Sequence, residues 1–191
     1  MTEDPRLSIQ DRDLLGRLTQ YFDSLQLRLR EGEGWLILSA NRARGGRLAR
    51  FISERTAEYR PLFSSYYLLW RDFALNSYMV NVELPDRDPA QVADARLQHE
   101  YRIADRVSKD MQYHMLYSDL FVLSGVQPAH PHEARQLDRV VAERQRRRLA
   151  TILITPRTLE ALAADFRPAD PSGRLWDEFY RRVYETSLIA V

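Results

Sequence analysis

The chain contains no cysteine and almost no lysine. Among its 191 residues there is no Cys, and of the 28 Lys+Arg residues only Lys109 is a lysine. The first absence excludes disulfides, thiolate metal sites and cysteine nucleophiles, and it fits a reducing, cytoplasmic setting. The second reads as a genome-wide preference for arginine, although local arginine clusters still offer fork-shaped donors for phosphate and carboxylate. Charge of one sign is also missing in excess: the formal net charge is +1, so no global field draws the chain to nucleic acid or a membrane surface. No apolar run approaches the roughly 18 residues of a membrane span. Met1-Thr2-Glu3-Asp4-Pro5 is polar and acidic, unlike a secretory signal. No internal repeat or low-complexity linker divides the sequence. The expectation is one soluble, cytoplasmic domain over residues 1–191.

What is present is an alternation of helical and strand patterns. Ser8 and Asp11 resemble a helix start, and Ile9, Leu14, Leu15, Leu18, Tyr21, Phe22, Leu25 and Leu29 recur at helical spacing. They predict one amphipathic helix over about 9–30, ended by Glu31-Gly32-Glu33-Gly34. Trp35–Leu38 reads as a buried strand, and residues 46–58 as a helix. Pro61–Tyr66 suits a second strand, with Tyr67–Phe73 turning helical, and Tyr78–Leu84 suits a third strand or hairpin arm. Asp86-Arg87-Asp88-Pro89 is a charged turn opening a helical segment to about Tyr117. Asp119–Leu123 and Thr151–Thr155 are short apolar runs of the kind buried on both faces. A helix around Ala134–Val141 lies between them. Helices near 158–165 and 173–183 and a final strand, Thr186–Val191, complete an α/β three-layer sandwich with a mostly parallel sheet.

The stretch Ser39-Ala40-Asn41-Arg42-Ala43-Arg44-Gly45-Gly46-Arg47-Leu48-Ala49 stands between a strand and a helix, the arrangement of a phosphate-binding loop. The working pattern, G-x-x-x-x-G-K-[ST], places Lys on the terminal phosphates and Ser/Thr on magnesium. Here those two positions fall on Gly45 and Gly46.

From Leu18 to Val191 the chain resembles the AAA+ core of the DnaC/IstB-like helicase-loader and transposition-helper ATPases. Leu25–Leu38 looks like that family's helix, glycine-containing turn and first core strand. The family's G-x-x-G-x-G-K-T-x-L-A, laid without a gap, puts its glycines on Ser39, Arg42 and Arg44 and its Leu-Ala on Leu48-Ala49. Ser118–Gly125 looks like the family's acidic strand, with the two acidic positions at Ser124 and Gly125. Gln136–Arg144 and Ala150–Thr155 resemble the next helix and strand, and Pro156 stands where a polar sensor is usual. Arg174, Arg181 and Arg182 lie where family arginines reach a neighbour's nucleotide. The resemblance implies an AAA+, P-loop NTPase-like fold without a full C-terminal lid. It also implies that the nucleotide chemistry has been removed.

Hydrolysis needs the Lys, the Thr and both acidic groups together, so no catalytic residue, cofactor or metal is expected. Asp119 is close in sequence order, but alternation of strand faces directs it elsewhere. The expected role is an inactive adaptor or assembly protein. Its partner would be an AAA+ relative, a helicase or further copies of itself, in DNA replication or mobile-element function. The alternative is an arginine-mediated nucleic-acid-binding module. Arg42, Arg44, Arg47 and Arg50, and the run Arg144-Gln145-Arg146-Arg147-Arg148, are its candidate contacts; each group also reads as a solvated surface. His130-Pro131-His132-Glu133 reads as a polar loop entering a helix, not a metal site. His99 and His114 have no paired partner in sequence. Tyr59, Phe63, Tyr66, Tyr67, Trp70 and Phe73 read as core packing, with base stacking as the alternative.

Overall fold

The computed structural model describes residues 9–59, 62–83 and 95–191. Ser8, Pro61 and the turn Asp86–Pro89 lie outside the described residues. The elements in chain order are α1 (Ile9–Asp23), α2 (Leu25–Glu31), β1 (Gly34–Ile37), α3 (Arg42–Ala57), β2 (Ser65–Leu69) and α4 (Trp70–Tyr78). A π-helical segment (Met79–Glu83) follows, then α5 (Ala95–Tyr117), β3 (Leu120–Ser124), α6 (Pro131–Arg146), β4 (Ala150–Ile154), α7 (Leu159–Phe166), α8 (Arg174–Thr186) and β5 (Ser187–Ala190). The five strands form one sheet in the order β2-β3-β4-β1-β5, with every pairing parallel.

Alternation along the central strands builds two cores. Trp35, Ile37, Leu120, Val122, Ile152 and Ile154 face α1, α2 and α3, where Leu18, Phe22, Leu25 and Ile52 cover them. Leu36, Phe121, Leu123 and Leu153 face the other way, against Phe73, Met115, Leu137, Val140, Phe166 and Phe179 from α4 to α8. Strands covered on both sides explain the unbroken apolar runs. Gly34 is required at the join of β1 and β4, because a Cβ there would collide with the Thr151 carbonyl.

Four sequence expectations need correction. The predicted single helix 9–30 is two, broken at Ser24, whose hydroxyl donates to the carbonyls of Gln20 and Tyr21. Gly32 then ends α2 at φ 69°, with the Gly32 and Glu33 N–H groups returned to Leu29 and Arg28. The second strand lies four residues later than Pro61 suggested. Of the strand expected at Tyr78–Leu84, Leu84 lies outside the described residues and the rest is the end of α4 and the π segment; α4 is held helical by packing on α6 and by Asn76 and Ser77, whose side chains donate to the carbonyls of Ser108 and His132. Finally, the helix expected from residue 46 begins at Arg42.

Candidate functional site

Parallel sheets bind ligands at the carboxyl ends of their strands, where connections depart to opposite faces and leave a crevice. Here α3 leaves β1 toward one face, while the helices following β3 and β4 lie on the other. The crevice is therefore at the ends of β1, β3 and β4. A phosphate would be held there by backbone N–H groups pointing into open space at the start of α3.

The N–H groups of the connection leading into α3 are engaged by protein. Ser39 N–H donates to the Arg157 carbonyl at 2.9 Å, and Ala40 N–H to the Thr155 carbonyl at 2.9 Å. Asn41 N–H turns back to Ser39 O, and the Asn41 side chain caps α3 by accepting from Arg44 N–H at 3.0 Å. The connection from β1 to α3 is only Leu38–Asn41, with Leu38 and Ala40 buried. On the β3 side, Gly125 (φ 81°) and Val126 donate their N–H groups to the Ile154 carbonyl. Thr155 is fully buried between these halves; its hydroxyl donates to Val126 O at 2.6 Å and accepts from Arg157 N–H at 3.0 Å. Arg157 is itself fixed to α7 through Asp165 at 2.9 Å. Burial pushes the Asp165 carboxyl up, and the guanidinium pulls it partly back. The β4 exit thus packs directly on the β1–α3 connection.

The residues named from the sequence distribute as follows. Ser39, Ser124 and Gly125 do meet at this edge. Ser39 adopts φ 53°, a left-handed conformation suited to glycine, which matches the glycine expected there by resemblance. Gly45 and Gly46, expected on the loop, are inside α3: Gly45 faces inward, where a Cβ would sit 3.4 Å from Ala40 O, and Gly46 faces open space. Arg42, Arg47 and Arg50 line a shallow cleft of about 460 Å³ on the outer face of α3, with Gly46 and Glu54. Arg44 does not join them; it donates to the Val191 carbonyl at 3.2 Å. Pro156 is exposed beside Thr155.

The second arginine run was misread at its first member. Arg144 is fully buried, donating from Nε to Thr151 Oγ1 (2.9 Å) and from its amino groups to the carbonyls of Met115 (2.8 Å), Ser118 (2.9 Å) and Ala150 (2.6 Å). Its guanidinium also lies 5.4 Å from the Phe121 ring centroid. Burial pushes its pKa down to about 9 and the Asp119 carboxylate pushes back, so it stays charged at neutral pH. The signal was in the sequence: Arg144 continues the inward row of Leu137, Val140 and Val141 at helical spacing. Arg146 and Arg147 pair with Glu143, Arg147 lies over Tyr117, and Arg148 (φ 55°) is exposed. They stand at the amino end of β4, far along the fold from the start of α3.

Along α8, Arg182 is tied within the chain to Asp138 and Glu178, Arg181 pairs with Glu185, and Arg174 is exposed at the first turn. Asp119 lies at the amino end of β3, accepting from the N–H and hydroxyl of Ser64. In His130–Glu133, Pro131 opens α6 and the Glu133 carboxylate accepts from the N–H groups of Ala129 and His130. Of the aromatic series, Phe73 is buried, Tyr59 and Tyr67 donate to the carbonyls of Phe22 and Ala49, and Tyr66 stacks on Phe121. They are packing residues.

No family model and no curated protein matches the chain. Among solved structures it is similar to the crystal structure of the DnaC helicase loader, with a TM-score of 0.64 and 17% identity, over 99% of this chain and 93% of that one. The likeness is one of fold: a five-stranded parallel sheet between two helical layers. Among the described residues no helix is long and apolar enough to cross a membrane.

Proposed function

We propose that this chain is a non-hydrolysing AAA+-like adaptor or assembly protein, working through protein partners in the manner of a helicase loader whose nucleotide site has been lost. One observation carries the reading: the Ser39 and Ala40 N–H groups donate to the β4 exit loop. Gly45 and Gly46 stand for Lys and Thr, and Ser124 and Gly125 for the acidic pair, so neither metal-bridged phosphates nor an activated water has a ligand. The scaffold is then a fixed surface and not a switch. The test is a melting series with magnesium and ATP. A ligand at 100 times its dissociation constant stabilises by about 2.7 kcal/mol; the expected result is no shift and no phosphate release, and a saturable shift sinks the reading.

The arginine cleft on α3 favours a second reading, contact with a nucleic-acid backbone. Arg42, Arg47 and Arg50 share one exposed face, and Glu54 is the acidic residue lining the cleft with them. Replacing these three by Ala should then weaken binding of a short duplex or single strand at low salt and flatten its salt dependence by roughly one unit of slope per lost contact. Fluorescence anisotropy showing no binding by the unaltered chain removes this reading.

A further inference from the structure

Two glycines stand side by side in α3, and only one has a use inside the molecule. Gly45 faces inward, where a Cβ would sit 3.4 Å from Ala40 O, whereas a Cβ on Gly46 would meet nothing within 4 Å. After proline, glycine is the poorest residue for a helix interior, because its backbone has the most freedom to lose. Exposed Gly46 therefore weakens α3 without making any contact that needs it within the chain. Such departures from local preference concentrate where another molecule comes close to the backbone.

The surroundings of Gly46 indicate what would come close. Arg42, Gly46 and Arg50 are at i, i+4 and i+8, so they form one row along the outer face of α3, about 12 Å from end to end. Both arginines are exposed, and among the described residues neither side chain has an ion-pair or hydrogen-bond partner. The row is a notch, floored by helix backbone, between two uncompensated guanidinium groups. It begins at the positive end of the helix dipole. Half-buried Phe51 lines the cleft beside Arg50 and offers an apolar contact. The basic stretch is short: Glu54 ends it, and the next arginine, Arg55, is tied to Asp23 and Glu58.

We infer that this notch is the docking site for an acidic helical segment of a protein partner. Guanidinium groups grip carboxylates in fork geometry, and two carboxylates eight residues apart on a helix match the spacing of Arg42 and Arg50. A small residue between them lets the partner's backbone settle on Gly46, and an apolar neighbour meets Phe51. A nucleic-acid backbone fits less well, since its charges continue past Arg50 and would run onto Glu54. The inference rests on the adaptor reading above and gives it a surface and a partner chemistry.

Amide chemical shifts of the full chain test it, titrated at low salt with an alanine-rich helical peptide carrying two glutamates eight residues apart. The peptide produces saturable shifts centred on residues 42–51. A peptide of the same composition with its two glutamates adjacent binds at least about 5-fold more weakly, and Arg42→Ala and Arg50→Ala each cost about 5-fold, the upper range for an exposed charge pair. Gly46→Leu changes no charge and weakens binding at least as much. Gly46→Ala also weakens it, while raising the melting temperature by about 2–4 °C. No binding of the first peptide, equal binding of the two peptides, unchanged binding by Gly46→Leu, or tighter binding of a single-stranded oligonucleotide at the same residues overturns the inference. Each of those failures leaves the ATP melting series, which tests the lost nucleotide site, untouched.

Discussion

At the amino ends of β3 and β4, one side chain gathers the local polar groups: Arg144 serves three carbonyls and a hydroxyl from inside the core. At the carboxyl ends of β1, β3 and β4 the same task is shared among Ser39, Ala40, Gly125, Val126, Thr155 and Arg157, mostly through the backbone. The first arrangement is concentrated and the second distributed. A concentrated solution fails when one residue is changed, because every acceptor it served is left unsatisfied at once. A distributed one loses a single bond at a time. The carboxyl edge should thus be less sensitive to a single substitution than the amino edge.

The largest effect should come from Arg144→Ala, which strips a buried charge from its acceptors and leaves a cavity beside Phe121. A loss of about 3–5 kcal/mol is expected, measured by urea unfolding; a loss below about 1 kcal/mol would erase the contrast between the edges. Thr155→Val keeps the shape and removes one donor and one acceptor. The expected cost is about 1–3 kcal/mol, and a cost matching that of Arg144→Ala would show the carboxyl edge to be concentrated too. Ser39→Gly should be neutral or stabilise by up to about 1 kcal/mol, because φ 53° strains a residue with a Cβ; destabilisation would mean that the Ser39 side chain is needed in place. The smallest effect concerns Asp170, whose carboxylate accepts from Ser172 Oγ and from the N–H groups of Ser172 and Leu175 at the entry to α8. These bonds hold its pKa below the ordinary value. A depressed carboxylate contributes stability that is present above the unfolded pKa and fades as pH falls through the folded one. Asp170→Asn should therefore lower the melting temperature slightly at neutral pH and leave it unchanged well below about pH 4, so that the acid limb of the melting curve is flatter.

The difference between the edges also explains what the sequence revealed. β1, β3 and β4 were legible because burial on both faces leaves an unbroken apolar signature. The start of α3 was not, since Gly45-Gly46 reads as a loop; only the close approach of Ala40 O to Gly45 gives glycine a place inside the helix. Tyr78–Val82 has the composition of a strand, and packing of α4 on its neighbours overrode that local preference. Arg144 was hidden by company: in a run of arginines, charge masks the one residue whose phase points inward. The carboxyl edge was half visible. The missing Lys, Thr and acidic residues could be read, but the hydrogen bonds from Ser39 and Ala40 to the β4 exit depend on a loop length and a tertiary contact that no motif records.

The short β1–α3 connection bears on whether the loss can be undone. An ATPase inactivated by substitution alone is restored by reversing the substitutions. Here Lys at position 45 would enter the core beside Ala40 and Ile154, and Thr at position 46 would point away from the crevice into open space. On the proposed reading, restoring those two residues alone would not rebuild a phosphate loop; that would take inserted residues that lengthen the turn before α3.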